Sequence, residues 1–135
     1  MSNEMGFEVK WRDSYDEALE KVTAALKKEG FGVLTRIDMK ATMKEKLGAD
    51  FRPYAILGAC NPPLALKALA TDAVVGLMLP CNVTVEANPA GDGSIVRIAN
   101  PEAMMIGGLG ENATLCEVAL QAKTKLERVA ALLLE

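Results

Sequence analysis

Across "VVGLMLPCNVTVE" the apolar side chains recur at every second residue: Val75, Leu77, Leu79, Cys81, Val83 and Val85 form one row, while Met78, Pro80, Asn82, Thr84 and Glu86 form the other. A period of two is the mark of a strand with one buried face, so it commits the chain to a sheet that something must cover on that side. "ANPAGDG" then reads as a turn and "SIVRIAN" as a returning strand, which predicts an antiparallel hairpin. Pro80 breaks the regularity because it cannot donate to a ladder. It is expected to mark an edge position or a bulge that aims Asn82 into a cleft.

The covering elements are legible on either side. "DSYDEALEKVTAALKKEG" reads as a helix with a capping box at Ser14 and Glu17, an apolar stripe of Tyr15, Leu19, Val22 and Leu26, basic residues Lys27 and Lys28 at its negative end and Gly30 as its stop. Before it, Phe7, Val9 and Trp11 alternate with charged residues as a half-buried strand would. After it, "FGVLTRIDM" is expected as a strand with Phe31, Val33, Ile37 and Met39 on one face and Arg36 and Asp38 on the other. "ATMKEKLG" reads as a short helical turn ended by Gly48, and "PYAILGAC", apolar on both faces, as an interior strand. Asn61 as N-cap and Pro62 at the first helical position open the next helix, "PLALKALAT". A last helix is expected from a capping box at Thr114 and Glu117, with Leu115, Val118, Ala119, Ala122, Leu126, Val129 and Leu133 facing the sheet. One sheet with helices on one face, an α+β domain spanning residues 1–135, is the economical arrangement.

The 135 residues contain no histidine, which removes serine–histidine and cysteine–histidine catalysis, histidine-ligated metals and imidazole switching together. With 15 basic and 18 acidic residues and no dense basic run, nucleic acid is not an expected partner. The longest apolar run, "AVVGLMLPC", is too short to span a bilayer, and the start lacks the features of a secretory signal, so a cytoplasmic protein without membrane contact is expected. The cysteines, Cys60, Cys81 and Cys116, are odd in number and widely spaced, which suits free thiols better than a disulfide framework. No metal site and no cofactor are expected, since no close cluster of cysteine or methionine is present. "GGLG" before the last helix matches no phosphate-binding motif and reads as a connection.

Two stretches carry chemistry. Cys60 stands just before a helix N-terminus, where backbone N–H groups favour a thiolate, while Cys81 shares the apolar row of its strand and reads as a core thiol. Asn61 is accounted for as a cap. The candidate binding residues are therefore Cys60, Asn61, Pro62, Pro80, Cys81 and Asn82.

"KEKLGADFRPYAILGACNPPLA" and "GLMLPCNVTV" closely resemble the family known as domain of unknown function 302, along nearly the whole chain. The resemblance implies an α+β fold similar to the TATA-box-binding-protein-like fold, a curved and mainly antiparallel sheet with helices on one side, usually as a homodimer. It implies no DNA binding, because fold and function separate. Many relatives carry arginine where this chain has Asn82, which removes a cation from any anion site there. The reading that follows is a homodimeric small-molecule-binding or accessory domain with a shallow site near the Cys60 helix start. The alternative is a thiol-based redox or sulfur-transfer protein using Cys60, with Cys81 as resolving partner. Residue types alone name no reaction.

Overall fold

Strands β1 (Gly6–Trp11), β2 (Gly32–Asp38), β3 (Tyr54–Cys60), β4 (Cys81–Ala87) and β5 (Ser94–Ala99) form one sheet in the order β1-β5-β4-β3-β2, each neighbouring pair antiparallel. The structure is a computed structural model and describes residues 5–104 and 111–134. The "GGLG" connection lies outside the described residues.

The register explains what the alternation is for. Val83 stands opposite Leu57 on one side and Ile98 on the other, and Val85 opposite Ala55 and Val96, so two rows of fully buried aliphatic side chains cross the sheet. Val9 and Phe7 of β1 extend those rows. Helices α1 (Tyr15–Lys28) and α4 (Ala113–Leu133) close over them with Leu19, Val22 and Leu26 from α1 and Leu126, Val129 and Leu133 from α4. Each aliphatic side chain buried in this way contributes about 1.5–3 kcal/mol. The α+β architecture with helices on one face is therefore what the sequence predicts.

Helix α1 has both expected ends. Ser14 Oγ accepts from the Glu17 backbone N–H at 3.3 Å. At the other end, the N–H groups of Gly30 and Phe31 donate to the carbonyls of Lys27 and Leu26, a Schellman stop that returns Phe31 to the core beside Leu26. Helix α3 (Pro62–Thr71) starts at Asn61, as expected, with Pro62 in its first turn. Helix α2 (Met39–Leu47) starts at Met39, capped by Asp38, and ends at Gly48.

Four expectations need correction. The strand in "VVGLMLPCNVTVE" begins only at Cys81; Ala73–Met78 is a 3-10 helix opened by Asp72, whose carboxylate accepts from Val74 N at 3.0 Å. "VVGLML" is apolar everywhere except Gly76, so it fits a period of three as well as a period of two. Pro80 marks neither an edge nor a bulge: β4 is the middle strand, and Pro80 sits just before its first paired residue, where no ladder bond is lost. The bulge is in β2, where the register shifts between Val33 and Thr35. The extra residue reverses the alternation, placing Val33, Arg36 and Asp38 on the helix side and Thr35 and Ile37 on the open side. Finally, α4 is capped by Asn112, whose Oδ1 accepts from Leu115 N at 3.1 Å, and Glu117 instead accepts from Gln121.

Gly58 holds the open side of β3 low. A Cβ there would run into the Thr35 hydroxyl and lie 2.6 Å from Pro80 Cγ, so the missing side chain is what seats the proline ring on the sheet. The Leu79–Pro80 peptide is cis. Gly58→Ala is expected to lower the unfolding free energy by about 1–3 kcal/mol through overpacking, whereas Gly32→Ala, with nothing within 4 Å of its Cβ position, is expected to cause no loss. Urea denaturation of the two variants measures the difference.

Candidate functional site

The apolar interior has two parts. The main core lies between the sheet, α1 and the C-terminal half of α4; a second cluster joins Ala68 of α3, Val75 of the 3-10 helix, and Leu115 and Val118 from the N-terminal half of α4. Between them runs a cavity of about 420 Å³, bounded by members of both: Phe31 and Ala59 from the first, Ala68, Leu115 and Val118 from the second. Small side chains make up much of its wall: Ala65 and Ala68 from α3, Ala119 and Ala122 from α4, and Ala59 and Ala99 from the sheet. Leu77, 87% exposed, stands at the rim.

Five of the six candidate residues line this cavity: Cys60, Asn61, Pro80, Cys81 and Asn82. Pro62 does not; it is exposed in the first turn of α3. Asn61 is 8% exposed, and its side chain ties two elements together. Its Oδ1 accepts from Leu64 N at 3.3 Å, capping α3, and its Nδ2 donates to the carbonyl of Glu29 at the end of α1, also at 3.3 Å. Gly30, at φ +84°, makes room for this, since a Cβ there would lie 3.0 Å from Nδ2. Asn82, on the open side of β4, is exposed.

Further polar residues, absent from the expected set, sit on the open side of the sheet. Glu86 is only 2% exposed and is held by two arginines, Arg52 Nε at 2.8 Å from Oε1 and Arg97 Nη1 on Oε2. Arg97 also donates from Nε to Glu8 at 3.0 Å, and the Arg52 guanidinium stacks 4.5 Å from the Phe51 ring centre. A shallower groove of about 220 Å³ lies alongside, lined by Tyr54, Asn82, Thr84, Arg97 and Ala99 among others. Alternation put Glu86 on the polar row but carried no sign that Arg52, 34 residues earlier, would cover it. The alanines of "LALKALA" and "VALQA" were the one available signal for the cavity.

The sequence profile of the family described as domain of unknown function DUF302 matches residues 7–133. The chain belongs to this family. This DUF302 domain is similar to a solved structure, the crystal structure of an uncharacterized conserved DUF302 protein from Bacillus stearothermophilus. The two are 28% identical, with a TM-score of 0.82 over 95% of this chain and 97% of the other. No curated protein matches the chain. Among the described residues, no helix is long and apolar enough to cross a membrane.

The DUF302 domain brings its two cavity cysteines together without pairing them. Ala59 is directly opposite Cys81, so strand alternation directs Cys60 to the other face from Cys81. Burial, and then the neighbouring Cys60, push the Cys81 thiol from its ordinary value of 9.0 up to about 11. Cys81 is therefore a neutral thiol near pH 7, short of the thiolate that nucleophilic or exchange chemistry needs. No group of three or more Cys, Asp or Glu among the described residues could hold a metal ion. Because its folded value is raised, the stability Cys81 contributes is complete below pH 9.0 and is lost as pH rises toward about 11. Iodoacetamide at about pH 8 is expected to modify exposed Cys116 and leave Cys81 untouched until urea unfolds the domain, as read by peptide mass spectrometry.

Proposed function

We propose that this DUF302 domain binds a small, mainly apolar molecule in the cavity between α3 and α4. The observation that carries the reading is the cavity itself: about 420 Å³, within the roughly 300–1,000 Å³ span of ligand sites, apolar over most of its wall, with polar groups gathered at the end formed by Cys60, Asn61 and Asn82. The chemistry supports binding over turnover. Asn61 is already engaged as a cap and a tie, and Cys81 holds its proton. A thiol-based reading centred on Cys60 is weaker for the same reason, since its resolving partner would have to ionise inside the core.

The test uses N-phenyl-1-naphthylamine, an uncharged fluorophore that brightens in apolar surroundings. Saturable binding is expected to the wild-type domain, and Ala119→Phe, which fills the α3–α4 gap, is expected to weaken it by at least about tenfold, or 1.4 kcal/mol. Ala68→Leu fills the same gap from the other side and guards against a folding defect in the first variant. Equal binding by wild type and both variants overturns the assignment.

We extend the reading to a homodimer. On α3 and the 3-10 helix, Leu66 is 71% exposed, Leu69 43%, Val74 53% and Leu77 87%, with Lys67 among them. An uncovered apolar surface of this kind suits a two-fold contact in which one patch meets its own copy. Sedimentation equilibrium at micromolar concentration is expected to give a dimer for the wild type and a monomer for the double variant Leu66→Lys, Leu77→Lys. A monomeric wild type discards the dimer and leaves the cavity assignment standing.

A further inference from the structure

The cavity and the groove on the open side of the sheet adjoin at Asn82 of β4 and Ala99 of β5, which line both. Two residues beyond Asn82, about 7 Å along an extended strand, Thr84 and Arg97 bring hydrogen-bonding groups into a groove whose wall is otherwise mostly apolar. Thr84 and Arg97 stand directly opposite each other across β4 and β5. The Thr84 hydroxyl is buried and has no hydrogen-bond partner among the described residues. Such a group carries a desolvation penalty that a bound acceptor or donor would relieve, and a rotation about χ1 exchanges its hydroxyl and methyl positions. Arg97 donates from Nε to Glu8 and from Nη1 to Glu86, and its Nη2 has no acceptor among the described residues.

Resting on the binding function above, we propose that the bound molecule is amphipathic: an apolar body fills the α3–α4 cavity, and an uncharged hydroxyl or carbonyl head lies in the groove against Thr84 and Arg97. The charge balance selects the head. Arg52 and Arg97 are offset by Glu8 and Glu86. A carboxylate head would add a negative charge beside two existing carboxylates, and an ammonium head would meet Arg97. A neutral oxygen takes the available hydrogen bonds and leaves that balance intact.

Displacement of N-phenyl-1-naphthylamine by n-octane, n-octanol, octanoate and octylammonium tests this on the intact domain. Octanol is expected to displace the fluorophore at lower concentration than octanoate or octylammonium. Thr84→Val is expected to weaken octanol by about fivefold to tenfold, the loss of one net hydrogen bond, while octane is unchanged and Thr84→Ser retains the wild-type value. The unliganded Thr84→Val protein is expected to melt no lower than the wild type, since it loses only an unpaired hydroxyl. Octanol binding that is insensitive to Thr84→Val, or octanoate binding more tightly than octanol, overturns the head-group assignment while octane binding preserves the cavity function. If neither octane nor octanol displaces the fluorophore, the cavity function falls with it.

Discussion

Everything in this domain follows from burying one side of five strands under two helices. The rows Leu57–Val83–Ile98 and Ala55–Val85–Val96 need a continuous apolar lid, and α1 and the C-terminal half of α4 supply it. Once that contact is made, α4 is too long for it. Its N-terminal turns overrun the main core and must find other partners, which are α3 and the 3-10 helix. The spacing between α3 and the rest is then set at one point by Asn61, whose amide joins the end of α1 to the start of α3. The recess lies where a helix held by that tie meets a helix held by the sheet, with alanines of both along its wall.

Much of the frame was legible because it rests on local chemistry. Ser14 and Gly30 at the ends of α1, the Asn61–Pro62 start of α3, the β4–β5 hairpin and the inward side of Cys81 each depend on a few adjacent residues and stand as read. The failures also have local causes. "VVGLML" is apolar almost throughout, so it could not report its own period, and Leu34 inserts a bulge into a β2 pattern that alternates acceptably on either register. Asn112 and Thr114 compete as caps two residues apart, and the backbone uses Asn112.

The site was less legible than the frame. The cavity residues Cys60, Asn61, Pro80, Cys81 and Asn82 stood out because they sit at strand and helix boundaries, where sequence signals are strong. The apolar wall did not, because it is contributed by segments more than 50 residues apart, Ala65 and Ala68 with Ala119 and Ala122. The burial of Glu86 was hidden for a similar reason: a carboxylate on a polar row looks solvated until a distant arginine is laid over it. The two Cys-Asn pairs, alike on paper, differ because adjacent strand positions face opposite ways, which leaves Cys81 with the core and Cys60 at its margin.

One helix serving two interiors has a mechanical consequence. Helix α4 is clamped along Leu126, Val129 and Leu133 by a tightly packed core, while its other end borders empty volume. Its N-terminal half is held by the smaller cluster of Ala68, Val75, Leu115 and Val118, so the two ends of one rod are anchored in interiors of unequal size. The sheet side of the recess is braced by hydrogen-bonded strands. In the proposed binding role, the α4 wall is then the side to accommodate guests of different girth, and the wall formed by Pro80, Cys81 and Asn82 the side to discriminate by shape.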